Sequence, residues 1–160
     1  MKVRQLAYII VFIALSGMGA MIKIPSPIGT IGLDSGPGYF ASLAFGYGYG
    51  ISIIGLGHLF TSGLVGFPLG LPTHIIIAVL MILWAVLFRY LNKKVGKVIA
   101  CIIVIICNGI LSAFVMYPMA GFSGVIGLIP FLLLGSIFNV LIAQVTYNTY
   151  VQIRKDREWD

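Results

Sequence analysis

Few side chains in the apolar body of this 160-residue chain can do chemistry, and they are Asp34, His58, Thr61, His74, Asn108, Tyr117 and Asn139. Asp34 is the one acid ahead of a charged tail that carries Asp156, Glu158 and Asp160. A carboxylate accepts hydrogen bonds and donates none, so Asp34 can hold the hydroxyl or N–H groups of a ligand. Standing just before Ser35-Gly36-Pro37-Gly38, it can equally cap the start of a helix. A neutral imidazole offers one donor and one acceptor, so His58 and His74 can bond a ligand or a neighbouring helix. Asn108 and Asn139 fall in apolar runs, where an unmet amide is costly. Each therefore has a partner, either a ligand or another helix. Tyr39, Phe67, Trp84, Phe114, Tyr117 and Phe122 add aromatic faces, some of them suited to a membrane interface.

What is missing narrows the chemistry. Two histidines and Asp34, with no thiol near them, are too few for a zinc site, so no metal is expected. Nothing spells a nucleophile, base and orienter set, so no catalytic residue and no cofactor are expected. The chain has no Walker motif and no charge in the middle of an apolar run, which leaves no ATP hydrolysis of its own and no evident proton relay. No inverted repeat is visible, which argues against a self-contained alternating-access transporter. Cys101 and Cys107 are separated by about 240° around a helix, cannot pair with each other, and read as small apolar residues. A binding protein that draws its energy from partners remains.

Those residues need elements to position them. With 60% hydrophobic and 9% charged residues and a mean hydropathy of +1.09, the chain is an integral membrane protein. Lys2 and Arg4 ahead of an apolar run resemble a signal peptide, but Met18 and Ala20 make a poor cleavage site, so the run reads as a retained first helix. The expected architecture is all-α, a single membrane domain over residues 1–160. Its six-transmembrane-helix bundle has spans near 6–22, 35–45, 51–66, 74–91, 98–116 and 125–150 and irregular Gly/Pro-rich outward-facing loops. The last span is expected to break or kink near Pro130. Six spans put nine of the ten basic residues on one face, with Lys23 alone on the other, so both termini are expected in the cytoplasm. Net charge +6 thus reflects topology and not nucleic-acid binding.

The stretch from Pro25 to Thr73 has too many Gly and Pro residues for ordinary spans. Irregular backbone at membrane depth is tolerated only where protein buries it or a cavity receives it, so a small bound molecule is expected there. Residues 23–35 read as a loop folded over the bundle, residues 46–50 as a turn, and residues 67–73 and 117–124 as outward loops. In the first span, Ser16, Gly17 and Ala20 form a small-residue face suited to close helix approach, by a partner or by the protein's own helices.

Taken together, the small size, the six expected spans, the Ser16, Gly17 and Ala20 face and the lid-like loop after it resemble the substrate-binding S components of energy-coupling factor vitamin transporters. Gly55-x-Gly57-His58 also looks like that family, with a His where an acid often stands. The runs Ile31-Gly32-Leu33-Asp34-Ser35-Gly36-Pro37-Gly38-Tyr39, Gly57-His58-Leu59-Phe60-Thr61-Ser62 and Gly66-Phe67-Pro68-Leu69-Gly70-Leu71-Pro72-Thr73-His74 look most like S components assigned to α-ribazole. The resemblance implies a bacterial plasma-membrane complex with a transmembrane coupling subunit and two ATPase subunits, docked through Ser16, Gly17 and Ala20. It also implies a vitamin or vitamin precursor as ligand, held near the outer surface. Asp34 would take ribose hydroxyls, His58 and His74 ribose or ring nitrogen, and Asn108 and Asn139 would orient the ligand, with Thr61 and Tyr117 beside them. A neutral aromatic nucleoside also suits these residues better than a carboxylate ligand, which would want more than Lys23 on that side. Another vitamin, a small membrane enzyme acting on lipid, and an assembly subunit are the alternatives.

Overall fold

The computed structural model describes residues 3–26 and 29–157. It is predominantly helical: α1 (Val3–Ala20), α2 (Gly36–Phe45), α3 (Tyr47–Leu64), α4 (Leu71–Lys94), α5 (Lys97–Ile106) and α6 (Tyr117–Asp156). A π-helical turn at Cys107–Leu111 and a 3-10 turn at Ser112–Met116 join α5 to α6. Three helical stretches are long and apolar enough to cross a membrane, at Val3–Ala20, Leu71–Lys94 and Lys97–Asp156. Large apolar side chains such as Ile10, Val11, Ile75, Val79, Phe138 and Leu141 stay exposed on their outer faces. That apolar exterior is what a lipid-facing surface requires.

Where both outside and inside are apolar, missing side chains decide which faces meet. A Cβ on Gly38 would stand 2.4 Å from Ile54 Cβ, and one on Gly50 would stand 2.5 Å from Ser42 Cβ. These two contacts run α2 and α3 antiparallel about Gly46, whose φ of 114° only glycine adopts readily. Tyr39, Ile53, Ile54, Ala85, Phe88, Val104 and Val140 fill the interior, with the Tyr39 and Phe88 rings meeting edge to face at 5.7 Å. Where α2 ends, Arg89 Nη1 donates to the carbonyls of Ser42 and Leu43. That caps the last turn of α2, and the guanidinium lies over the Tyr47 ring at 5.3 Å.

Several segments depart from the sequence expectation. Residues 23–35 are not simply a loop: β1 (Lys23–Ser26) and β2 (Gly29–Gly32) pair antiparallel, Lys23 opposite Gly32 and Pro25 opposite Thr30. Pro25 is tolerated because a two-stranded ribbon is all edge. The turn expected over residues 46–50 contracts to Gly46, and α3 begins at Tyr47. Irregular backbone after α3 covers residues 65–70, because α4 starts at Leu71 with Pro72 in its first turn, where the missing N–H costs nothing. Residues 117–124 are helical on either side of Gly121, which at φ 60° and ψ −166° breaks α6 into two helices there, while Pro130 lies inside the longer one.

The face formed by Ser16, Gly17 and Ala20 takes part in internal packing. Ser16 is fully buried, and its Oγ lies 2.9 Å from where a Cβ on Gly57 would be. Phe60 covers Gly17, and Ala20 packs against Gly32 of β2. The protein's own α3 and hairpin therefore pack on part of this face, burying Ser16 and leaving Gly17 and Ala20 half-buried.

Gly38→Ala and Gly50→Ala should each lower stability by about 1–3 kcal/mol through overpacking. Gly48→Ala meets nothing within 4 Å and should be neutral or slightly stabilising, as circular dichroism melts of detergent-solubilised protein would read.

Candidate functional site

The hairpin, the start of α2, the end of α3, residues 65–70, the start of α4, the turns after α5 and the middle of α6 enclose a cavity of about 410 Å³. Its apolar wall comes from Ile31, Ile77, Met81, Met116, Leu128 and Leu132, and polar groups gather in two clusters.

The first cluster is built on Asp34. The bend that carries it is held from behind, because Leu33 N–H donates to the carbonyls of Gly19 and Ile22 at 3.2 and 3.3 Å. Gly19 allows that approach, since a Cβ there would lie 2.1 Å from Leu33 O. The position before α2 is Ser35, with no side-chain cap, so Asp34 does not cap the helix. Its Oδ2 instead accepts from His58 Nδ1 at 3.0 Å and from Thr61 Oγ1 at 2.9 Å. His58, Thr61 and Ser62 share one face of α3 because residues three and four apart are neighbours on a helix. His74 enters from the first turn of α4, its Nδ1 lying 3.0 Å from Ser62 Oγ and 3.3 Å from His58 Nε2. Ser62 Oγ is 3.3 Å from His58 Nε2. The Phe67 ring stands 5.7 Å from His74, on a residue whose φ of 49° is unusual for any side chain but glycine.

The second cluster arises where α5 loses its regular winding. At the π-helical turn, Gly109 packs so tightly on α6 that a Cβ would meet Leu133 at 2.5 Å. Such turns are frequent at functional sites because they re-aim side chains. Here Asn108 Nδ2 donates to Ser136 Oγ at 2.8 Å, and Trp84 Nε1 donates to Ser112 Oγ at 2.9 Å. Ser112 Oγ lies 3.5 Å from Asn108 Oδ1. Asn139 also lines the cavity, but its amide is committed: Oδ1 accepts from Gly36 N–H at 2.8 Å and Nδ2 donates to Gly135 O at 2.9 Å.

Of the residues singled out in the sequence, Asp34, His58, Thr61, His74, Asn108 and Asn139 come together around this cavity. Tyr117 does not: it opens α6 and is exposed, outside the cavity lining. Ser62, Ser112 and Ser136 were not singled out as site residues. Their signal was spacing, with Ser62 and Ser112 four residues after His58 and Asn108, and Ser136 three before Asn139. Lys23 is the cation on the lining, at the exposed rim contributed by β1. Among the described residues no three His, Cys, Asp or Glu side chains converge to hold a metal. The arrangement can bind a molecule whose polar groups lie at two places and whose middle is apolar.

Asn139→Leu keeps the bulk but leaves Gly36 N–H unpaired, and should cost about 1–3 kcal/mol of stability. A melt indistinguishable from wild type would show that this bond does not anchor α2. Compared with known proteins, the chain matches no protein-family model and no curated sequence.

Proposed function

We propose that this protein is the substrate-capture subunit of an ATP-driven vitamin uptake transporter, an energy-coupling factor S component. It captures a small aromatic vitamin precursor, α-ribazole by preference, from the exterior. The observation that carries this reading is the cavity: about 410 Å³, roofed by a hairpin and the strained 65–70 segment, with an apolar wall between two polar clusters. A ring with a sugar attached presents that distribution of groups, and its neutrality suits a lining whose carboxylate is already bonded to His58 and Thr61. In this reading His58, Thr61 and His74 face the sugar and Asn108 the ring, while Asp34 and Asn139 hold the walls in place.

In the proposed topology the six spans, in a bacterial plasma membrane, are α1, the short α2 with the residues leading into it, α3, α4, α5 with its turns, and α6. The hairpin, residues 65–70 and Gly121 then face out. Arg89, Lys93, Lys94, Lys97 and both termini face the cytoplasm, in keeping with the excess of basic residues on cytoplasmic loops. The protein performs no chemistry on its ligand, and a transmembrane coupling subunit with two ATPase subunits supplies the energy.

Protein purified from its native membrane through a C-terminal tag should bring two ATPases and a larger membrane protein with it. It should also bind α-ribazole in titration calorimetry. Leu132→Trp, which fills the cavity from α6, should weaken that binding at least tenfold, about 1.4 kcal/mol, with the melt retained. Absence of both ATPases and α-ribazole binding would reject the proposal.

A further inference from the structure

α1 buries only Ile9 and Ser16 fully. It packs chiefly on α2 and α3, and α6 stands across the short α2 from it. Between α1 and α6, with the start of α2 as its floor, runs a crevice of about 500 Å³. Aromatic rings shut one end: Phe12 of α1 stacks on Phe40 of α2 at 5.6 Å, and the Tyr150 ring of α6 meets Phe40 edge-on at 5.9 Å. The other end reaches Ile22, the residue before Lys23. Met21 and Ile22 continue the winding of α1 through bonds to Met18 and Gly19, so from Phe12 to Ile22 the chain climbs about 15 Å, half of a hydrocarbon core about 30 Å thick. The crevice is therefore one leaflet deep, shut beside the midpoint of α1 and open where α1 ends. Among the described residues no charged side chain lines it, Thr146 brings its one hydroxyl, and the Asn139 amide is already committed to Gly36 and Gly135. Water, which needs about two to four polar partners, has no place there. Leu15, Ile22 and Ile142 are 40%, 61% and 54% exposed and leave the crevice open to the membrane. At its mouth stands Lys23, exposed and without an ion pair among the described residues.

We propose that this crevice holds one acyl chain of a phospholipid, whose phosphate pairs with Lys23 at the membrane interface. Depth, wall and charge fit that ligand together: a space one leaflet long, an apolar lining and a cation at the headgroup end. A partner's transmembrane helix would need the groove to continue into the other leaflet, where Phe12, Phe40 and Tyr150 close it. Asn139 lines both the crevice and the cavity under the hairpin. The acyl chain thus lies behind the bond from Gly36 N–H to Asn139 and shields it from the membrane side. The inference depends on α1 crossing a membrane and not on what the cavity binds.

Full-length protein solubilised in a mild maltoside detergent and titrated with palmitoyl-oleoyl phosphatidylglycerol should take up one tightly held lipid in native mass spectrometry. Leu15→Trp, which fills the crevice from α1, should weaken that binding at least tenfold, about 1.4 kcal/mol, with the melt retained. Val79→Trp, a comparable change on the exposed face of α4, should leave it unchanged. Lys23→Gln should weaken it about fivefold, whereas palmitoyl-oleoyl glycerol, which lacks the phosphate, should bind wild type and Lys23→Gln equally. If Leu15→Trp does not fold, Ile142→Trp fills the same space from α6. Equal phosphatidylglycerol affinity in wild type and the crevice-filling variant would overturn the proposal, and so would an affinity that ignores Lys23. A dimer or a co-purified membrane protein that the crevice-filling variant loses, with no lipid bound to wild type, would give the crevice to that partner and overturn the proposal as well.

Discussion

The bond from Gly36 N–H to Asn139 Oδ1 at 2.8 Å joins residues 103 positions apart, and much of the site depends on it. The first N–H groups of a helix have no partner within it, and in an apolar bundle water does not supply one. Asn139 meets that need for α2 from the middle of α6 and spends its other amide end on Gly135 O. The same bond holds Asp34, two residues ahead of Gly36, at the edge of the cavity with its carboxylate turned to α3. A side chain that reads as a ligand contact is thereby a clamp between α2 and α6, and a second clamp, Leu33 N–H on the end of α1, fixes the other side of Asp34.

Around that clamp the bundle closes by subtraction. With an exterior as apolar as the interior, close approach of backbones decides which faces meet. Gly19, Gly38, Gly50, Gly57 and Gly109 each stand where a methyl group would collide with backbone or side chain. The resulting helix spacing leaves a less tightly filled region under the hairpin and residues 65–70. Polar residues line that region because they are either bonded to each other or available to a guest. Arg89 makes the opposite use of the other end, where its guanidinium meets the unpaired carbonyls that close α2.

Much of the fold was legible in the sequence. Apolar runs bounded by Lys, Arg, Gly and Pro mark helices close to those observed, and Pro72 and Gly46 mark boundaries by their backbone chemistry. The hairpin was not legible, since Lys-Ile-Pro-Ser and Gly-Thr-Ile-Gly are too short and too poor in alternation to show period-2 patterning. Residues 117–124 looked like a loop because Pro118, Gly121 and Gly124 break helices on average. The chain is helical on both sides of them, with Pro118 in the first turn and the break at Gly121 alone.

By itself, the sequence determined that the chain is apolar enough for a membrane and mostly helical. It also determined that its sparse polar residues concentrate in and after a Gly/Pro-rich segment. These are consequences of composition and local backbone preference, which act over a few residues. Tertiary structure alone decided which of the two open roles each residue takes. Asp34 bonds His58 and does not cap α2; Ser16 is buried against Gly57 and is not an open face; Tyr117 lies outside the cavity that Asn108 enters. The outcomes for Asp34 and Ser16 turn on partners more than 20 residues away, and contact at that range depends on how helices pack, which local propensity does not encode.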